Sequence, residues 1–191
     1  MRQTLRTFIA VELPRDIQRI LKGIQDELRK SGADVKWIQP DHIHLTLKFL
    51  GEIPEEKIEA VLKVMESSLE CFAAFSFRLS HLGAFPKPEN PRIIWVGVDS
   101  GENELKRLAG VLEKNLGSLG FKKEERGFAA HITLGRVRSS LNKFALSKLL
   151  KSYSLPQPMA QDVKNLVLFK STLTSSGPLY EALKKIPLAA S

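Results

Sequence analysis

Two short runs hold the residue types best able to do chemistry. His44-Leu45-Thr46-Leu47 recurs as His131-Ile132-Thr133-Leu134. On a β-strand successive side chains point to opposite faces, so His44 and Thr46 share one face while Leu45 and Leu47 share the other. The second run divides in the same way. Each therefore presents an imidazole and a hydroxyl from a strand whose back is aliphatic. Two such strands facing one another enclose a cleft suited to acid–base cleavage of a phosphodiester. One neutral imidazole takes a proton from attacking water, and the other, as imidazolium, gives one to the departing alkoxide. Histidine titrates at about pH 6.5, so both forms coexist near neutrality. Threonine hydroxyls can donate to the non-bridging phosphoryl oxygens as charge builds on them. This chemistry needs no side-chain nucleophile, no metal and no other cofactor.

One His-x-Thr-Leu is a weak signal, because a strand histidine is commonly a hydrogen-bonded core residue. Recurrence with the same threonine gives it weight, and the surrounding elements recur too. Ile17, Ile20, Leu21, Ile24 and Leu28 follow Pro14 at helical spacing and stop at Gly32. Ile58, Val61, Leu62, Met65 and Leu69 repeat the pattern, as do Leu105, Leu108, Ala109, Leu112 and Leu116. A fourth helix is predicted over residues 141–153, on a stripe of Leu141, Phe144, Ala145, Leu149 and Tyr153. Strand patterns fall at residues 7–13, 35–38, 43–50, 75–82, 92–98, 130–137 and 163–172. Ile17 precedes His44 by 27 residues and Leu105 precedes His131 by 26; the next helices begin 14 and 13 residues beyond the histidines. Matched spacing of this kind predicts a duplication. The expected fold is α+β, with two similar lobes related by a pseudo-two-fold axis. Each lobe is an antiparallel sheet backed by helices, with the cleft between them. Repeat units are expected at about 5–70 and 92–153 within one domain spanning 1–191, a C-terminal strand completing a sheet.

Composition narrows the class. The chain has 191 residues, 43% hydrophobic and 26% charged, which suits a globular protein. No apolar run approaches the ~18–20 residues of a membrane span. The N-terminus runs from Met1-Arg2-Gln3-Thr4 into a strand pattern without a signal peptide's apolar stretch. Cys71 is the only cysteine, so no internal disulfide and no cysteine-based metal site can form, in keeping with a cytoplasmic location. The net charge of +8 is uneven: residues 1–120 hold 17 basic and 17 acidic side chains, residues 121–191 hold 12 and 4. A basic excess in the segment carrying His131 predicts a surface beside the cleft for an anionic partner such as phosphate or nucleic acid.

The doubled motif resembles that of the 2H phosphoesterase superfamily, and within it the RNA 2′,3′-cyclic phosphodiesterases, also called 2′-5′ RNA ligases. Residues 6–13 (RTFIAVEL), 35–38 (VKWI), 42–51 (HIHLTLKFLG) and 131–136 (HITLGR) carry the likeness, which extends over roughly the whole chain. The resemblance implies hydrolysis of RNA 2′,3′-cyclic phosphate ends, tRNA-like ends among them, to 2′-phosphomonoesters. It implies His44 as proton donor to the leaving 3′-oxygen, His131 as the base, and Thr46 and Thr133 as phosphate ligands. Arg136 matches an arginine to which the family gives a role. Strict alternation would turn it away from His131, so the strand must bend or bulge near Gly135. Microscopic reversibility allows 2′-5′ ligation, against which water at ~55 M competes. The expected partner is RNA or a nucleotide with a cyclic phosphate, bound by a monomer.

Other residues have two readings each. Phe8 and Phe49, near the motif strands, are candidates for base stacking, as is Trp37, and all three suit a core. Lys48 continues the His44/Thr46 face toward phosphate. A His42/His44/His131 zinc site is conceivable, but acid–base use needs free imidazoles. His81 lacks the companion threonine and reads as structural or exposed. The 85–91 loop (FPKPENP) could rim the cleft, and residues 155–158 (LPQP), 122–126 and 171–180 read as loops, the last two near RNA or the cleft. The alternatives are another 2H enzyme, acting on cyclic ADP-ribose phosphate or 2′-5′ oligonucleotides, or a module that binds RNA ends without turnover.

Overall fold

The computed structural model describes residues 3–125, 127–155, 159–174 and 177–189. Its elements run β1 Thr4–Glu12, α1 Arg15–Arg29, β2 Val35–Trp37, β3 His44–Pro54, α2 Ile58–Leu69, β4 Phe75–Phe85 and β5 Ile93–Ser100. Then follow α3 Glu102–Gly117, β6 His131–Val137, α4 Lys143–Ser152, β7 Met159–Val163, β8 Asn165–Thr174 and β9 Gly177–Pro187. No helix among the described residues is long and apolar enough to cross a membrane.

The fold is α+β with two matching halves, as expected. All the strands belong to one antiparallel sheet in the order β7-β4-β5-β6-β3-β1-β8-β9, with β2 paired to β6. The two motif strands lie side by side at its middle, where Leu45 stands opposite Ile132. One half is β3-β1-β8-β9 and the other β6-β5-β4-β7. β4, which follows α2, therefore joins the second half, and of the strands after α4, β7 stays in the second half while β8 and β9 return to the first. Each half is completed by chain from the other repeat, which ties the halves together.

The helices supply the back of the sheet. Ile17, Leu21, Ile24 and Leu28 of α1 and Leu105, Leu108, Leu112 and Leu116 of α3 are buried in one core with Ile9, Val11, Leu45, Ile94, Val96, Ile132 and Leu134 of the strands. The first three helical stripes match the spacing read from sequence. The fourth needs correcting: α4 buries Leu146 and Leu150, while Phe144 is 87% exposed and Leu141 58% exposed. The helix begins at Lys143, after Asn142 in the left-handed region, and its inward face is set by the pair four residues apart.

Two further expectations are corrected. The 163–172 pattern is two strands, β7 and β8, broken at Lys164. The segment read as a loop over 171–180 forms the arms of the β8–β9 hairpin, pairing Ser171 with Tyr180. Polar residues alternate poorly there because much of β9 is an exposed edge, so the period-2 signal is lost. Pro156, Gln157 and Pro158 of the 155–158 loop and Arg126 of the 122–126 loop lie outside the described residues.

Candidate active site

His44 and Thr46 on β3, and His131 and Thr133 on β6, all lie on the sheet face opposite the helices, because Leu45 and Ile132 between them are fully buried in the core. Carrying the Leu45–Ile132 register one residue either way sets His44 across from Thr133 and Thr46 across from His131. The two histidines then occupy one diagonal. Directly opposed side chains stand about 5 Å apart at Cβ and diagonal ones about 7–8 Å, which leaves room for a phosphoryl group between the imidazoles.

Both imidazoles are fixed by the same device. The carbonyl of His42 accepts from His44 Nδ1–H at 2.8 Å, and the carbonyl of Ala129 accepts from His131 Nδ1–H at 2.8 Å. A carbonyl can only accept, so Nδ1 carries the proton in each neutral ring and Nε2 is left as the free basic nitrogen. His42 itself sits in a tight turn over Pro40–His42 that sets this carbonyl, and its ring lies 5.1 Å from that of Tyr180. Among the described residues no group of three or more His, Cys, Asp or Glu is placed to hold a metal.

The surroundings of the two rings differ. The His44 ring stacks on Phe8 at 4.7 Å and 25°, and Tyr180 presents its edge at 5.3 Å. Burial among these rings pulls the His44 pKa from 6.5 to about 4, against the opposing hydrogen bond to the His42 carbonyl. His131 meets the edge of Phe85 at 5.1 Å and of Trp95 at 6.3 Å. Its pKa is also lowered, first by burial and then by the positive charge of Arg136. Burial raises the Tyr180 phenol, and Arg136 and Arg6 partly offset it.

Register shifts decide which neighbours reach this face. Ile94 pairs with Gly135 and Trp95 with Thr133, so Leu134 is the extra residue of a bulge on β6. The bulge turns Arg136 back to the histidine face, within electrostatic reach of His131 and Tyr180. Gln25, buried on α1, holds that bulge: its Nε2 donates to the carbonyls of Leu134 at 2.9 Å and Ile38 at 2.8 Å. On β3, Ala10 pairs with Thr46 and Ile9 with Lys48, leaving Leu47 as the extra residue. That shift turns Lys48 away from the site, correcting the expectation that it continues the His44/Thr46 face. It is 3% exposed and donates to Glu113 Oε1 at 2.9 Å and to the Lys122 carbonyl. The same shift brings Phe49 onto the site face, 57% exposed.

Phe8 is corrected as a stacking platform. It is 3% exposed and lies between His44 and Phe169, so neither ring face is open to a base. Trp37 is half-buried on β2 with Arg29 over its ring, 5.2 Å from the centroid. Of the basic excess of residues 121–191, Arg136 reaches His131 and Lys164 and Lys185 line the cavity beside His44, while several lysines are held in ion pairs. Lys151, Lys184 and Lys185 pair with Glu89, Glu66 and Glu12, and Lys164 and Lys170 pair with Asp162 and Glu181.

A cavity of about 700 Å³ opens beside His44, lined among others by Arg15, Gln18, His42, Asn165, Tyr180 and Lys185. The sequence reading missed Phe169 and Asn165 as site residues, and reached Tyr180 only as the end of a segment near the cleft. The doubled motif contained no trace of them, because β8 and β9 have no counterpart in its spacing.

A curled antiparallel sheet bearing paired His-x-Thr strands on its open face defines a two-histidine phosphoesterase. A family model described as LigT like Phosphoesterase matches twice, at residues 11–95 and 96–180. The chain belongs to this family. It is 35% identical to the RNA 2′,3′-cyclic phosphodiesterase of Aeropyrum pernix, over 90% of this chain and 96% of that one. It is 36% identical to the RNA 2′,3′-cyclic phosphodiesterase of Archaeoglobus fulgidus, over 94% and 98%. The crystal structure of E. coli LigT complexed with 3′-AMP superposes with a TM-score of 0.79 at 25% identity, covering 98% and 99% of the two chains.

Proposed function

We propose that the chain hydrolyses the 2′,3′-cyclic phosphate at RNA ends to a 2′-phosphomonoester without a metal, with His44 as the acid and His131 as the base. One observation carries the reading. The two imidazoles share one sheet face on adjacent strands, and each has its Nδ1 committed to a backbone carbonyl and its Nε2 free. The relatives named for this activity and the nucleotide held by LigT support the same substrate class.

The cyclic phosphate lies between the imidazoles. Thr46 and Thr133 donate to its non-bridging oxygens, and Arg136 adds positive charge at one end. His131 Nε2 takes a proton from water as the water oxygen bonds to phosphorus. The P–O3′ bond breaks, and His44 Nε2–H delivers its proton to O3′. In the free protein both histidines favour the neutral form. An anionic phosphate between them favours imidazolium and restores the proton that His44 must give. Burial also suits His44 to its task, since an imidazolium enclosed by rings is a stronger acid than one in water. Replacing water by a 5′-hydroxyl runs the same steps toward a 2′-5′ bond.

The test is hydrolysis of 2′,3′-cyclic CMP and of a cyclic-phosphate RNA oligonucleotide in excess chelator. Wild type is expected to turn over both, while His44→Ala and His131→Ala each lose about 10²–10⁴-fold. Full activity in either variant, or none in wild type once chelator is present, overturns the mechanism.

A further inference from the structure

The half of the cleft beside His131 carries a ring cluster that hydrolysis leaves unused. Trp95 on β5 stands opposite Thr133 on one side and Gly83 on the other. A Cβ at Gly83 would lie 2.2–2.6 Å from three atoms of the indole's six-membered ring, so that ring covers the glycine. A Cβ at Gly97 would lie 2.5 Å from His81 Cε1 and 2.9 Å from Trp95. Two glycines are thus hollowed out to seat an indole and an imidazole on the same face as His131. His81 meets the indole edge-on at 5.5 Å and Phe85 tilts against it at 5.1 Å. These rings form a shallow cup with Trp95 as floor. It is not sealed: Trp95 and Phe85 are half-buried and His81 is exposed. Trp95 Nε1–H is buried without a hydrogen-bond partner among the described residues. An indole kept only for packing would shed that penalty on replacement by phenylalanine.

The direction of the reaction says what the cup is for. In-line displacement puts the attacking oxygen on the opposite side of phosphorus from the leaving one. With O3′ leaving beside His44, the donor nucleoside lies on the side of the 700 Å³ cavity. The group bearing the attacking oxygen then lies on the side of His131 and Trp95. Water needs no cup. An attacking alcohol carried on a nucleoside does, because it must be held in place to compete with ~55 M water.

We propose that Trp95, rimmed by His81 and Phe85, is a binding subsite for a nucleoside that presents an attacking 5′-hydroxyl, resting on the two-histidine reading above. O5′ bonds to phosphorus as P–O3′ breaks, His131 takes the 5′-hydroxyl proton, and His44 gives its proton to O3′. The product is a 2′-5′ phosphodiester, formed with no oxidant and no cofactor. Stacking of the acceptor base on the indole is tolerant of base identity, so the subsite selects nucleosides over simple alcohols rather than one base over another.

The experiment is a partition. The protein is given 2′,3′-cyclic CMP with equal molarities of adenosine or methanol, and transfer products are counted against 2′-CMP from water. The ratio is immune to a general loss of rate. In wild type, adenosine is expected to capture the phosphoryl group about tenfold or more better than methanol. Trp95→Leu is expected to bring the two acceptors together, and His81→Ala to fall between. Should Trp95→Leu disturb His131 and abolish turnover, His81→Ala decides. Equal capture of adenosine and methanol by wild type, or an unchanged ratio in the active variants, overturns the subsite while leaving hydrolysis intact. Absence of any 2′-CMP overturns the hydrolase reading itself.

Discussion

The His44 half and the His131 half of the cleft share a plan and differ in packing. In both, a strand with an aliphatic back presents imidazole and hydroxyl, and in both the carbonyl two residues earlier fixes the tautomer. Around His44 the rings close in: Phe8 stacks on it, Phe169 stacks on Phe8, and Tyr180 covers an edge. Phe8, Ala10, Val167 and Phe169 form a small core of their own on the open face of the sheet. Around His131 the rings offer only edges, and two glycines take the place of side chains. The feature held in common sets which nitrogen is free. The feature that differs sets how strongly that nitrogen holds a proton. The two halves present equivalent imidazoles, and packing sets them apart; in the mechanism we propose, it suits His44 to be the acid.

The comparison breaks most visibly in the pH–rate profiles of the histidine variants. The proposed mechanism requires His131 neutral and His44 charged, so kcat/KM is expected to fall on both sides of an optimum. Both free-protein pKa values lie below 6.5, which sets the optimum for kcat/KM on the acid side of that value. His44→Ala is expected to lose the alkaline limb and His131→Ala the acid limb, in the residual rates left by the 10²–10⁴-fold losses. Swapped limbs would exchange the two roles, and an optimum well above pH 7 in wild type would contradict the burial of both rings.

Stability should show the same asymmetry. The pKa of His44 is about 4 in the folded chain and about 6.5 when unfolded, so the unfolded state binds the proton first. Its contribution is fully present above pH 6.5 and is lost as pH falls toward 4. The loss amounts to about 3 kcal/mol at the acid end. His131 shifts in the same direction in its more open setting. Urea unfolding at pH 7 and pH 4.5 is expected to show a clear drop for wild type and a smaller one for His44→Gln. An equal drop in both proteins would assign the acid sensitivity elsewhere.

A finer probe is Phe8→Leu, which opens one face of the His44 ring at a cost of about 1–1.5 kcal/mol in stability. The His44 pKa is expected to rise toward its ordinary value while that of His131 stays put, as read by NMR titration of the imidazole Cε1 protons. Movement of both rings would mean that they respond to shared charge rather than to their own walls.

Much of this arrangement was legible before any fold was drawn. The four motif residues, three of the helical stripes and the repeat all follow from spacing, because strand and helix periods are local. Arg136 required a bulge whose need could be stated from alternation, though its place at Leu134 could not. Lys48 and Phe49 exchanged faces because a register shift at Leu47 inverts parity, and shifts of that kind are set by pairing with β1. Phe169 and Tyr180 stand on β8 and β9, beyond both motifs in the chain, and only the return of those strands to the first half brings them to His44. Charge counted along the chain does not show which lysines are paired: Lys184 and Lys185 meet Glu66 and Glu12, and Lys185 still lines the cavity beside His44.

Phe49 gives the smallest and most discriminating test. It shares the open face with Phe8 and stands 6.0 Å from it, yet one ring is walled in and the other is 57% exposed. A ring left in water contributes little to folding, so Phe49→Ala is expected to change stability by less than about 0.5 kcal/mol. We propose that its open face stacks on a substrate base, which makes KM for a cyclic-phosphate oligonucleotide rise several-fold with kcat nearly unchanged. Stacking of this sort is uniform binding, equal in ground and transition states, and that is the signature the split would report. A fall in kcat alone would mean instead that Phe49 acts through Phe8 on the His44 ring, and the wall of the acid would then extend one residue further than the buried cluster.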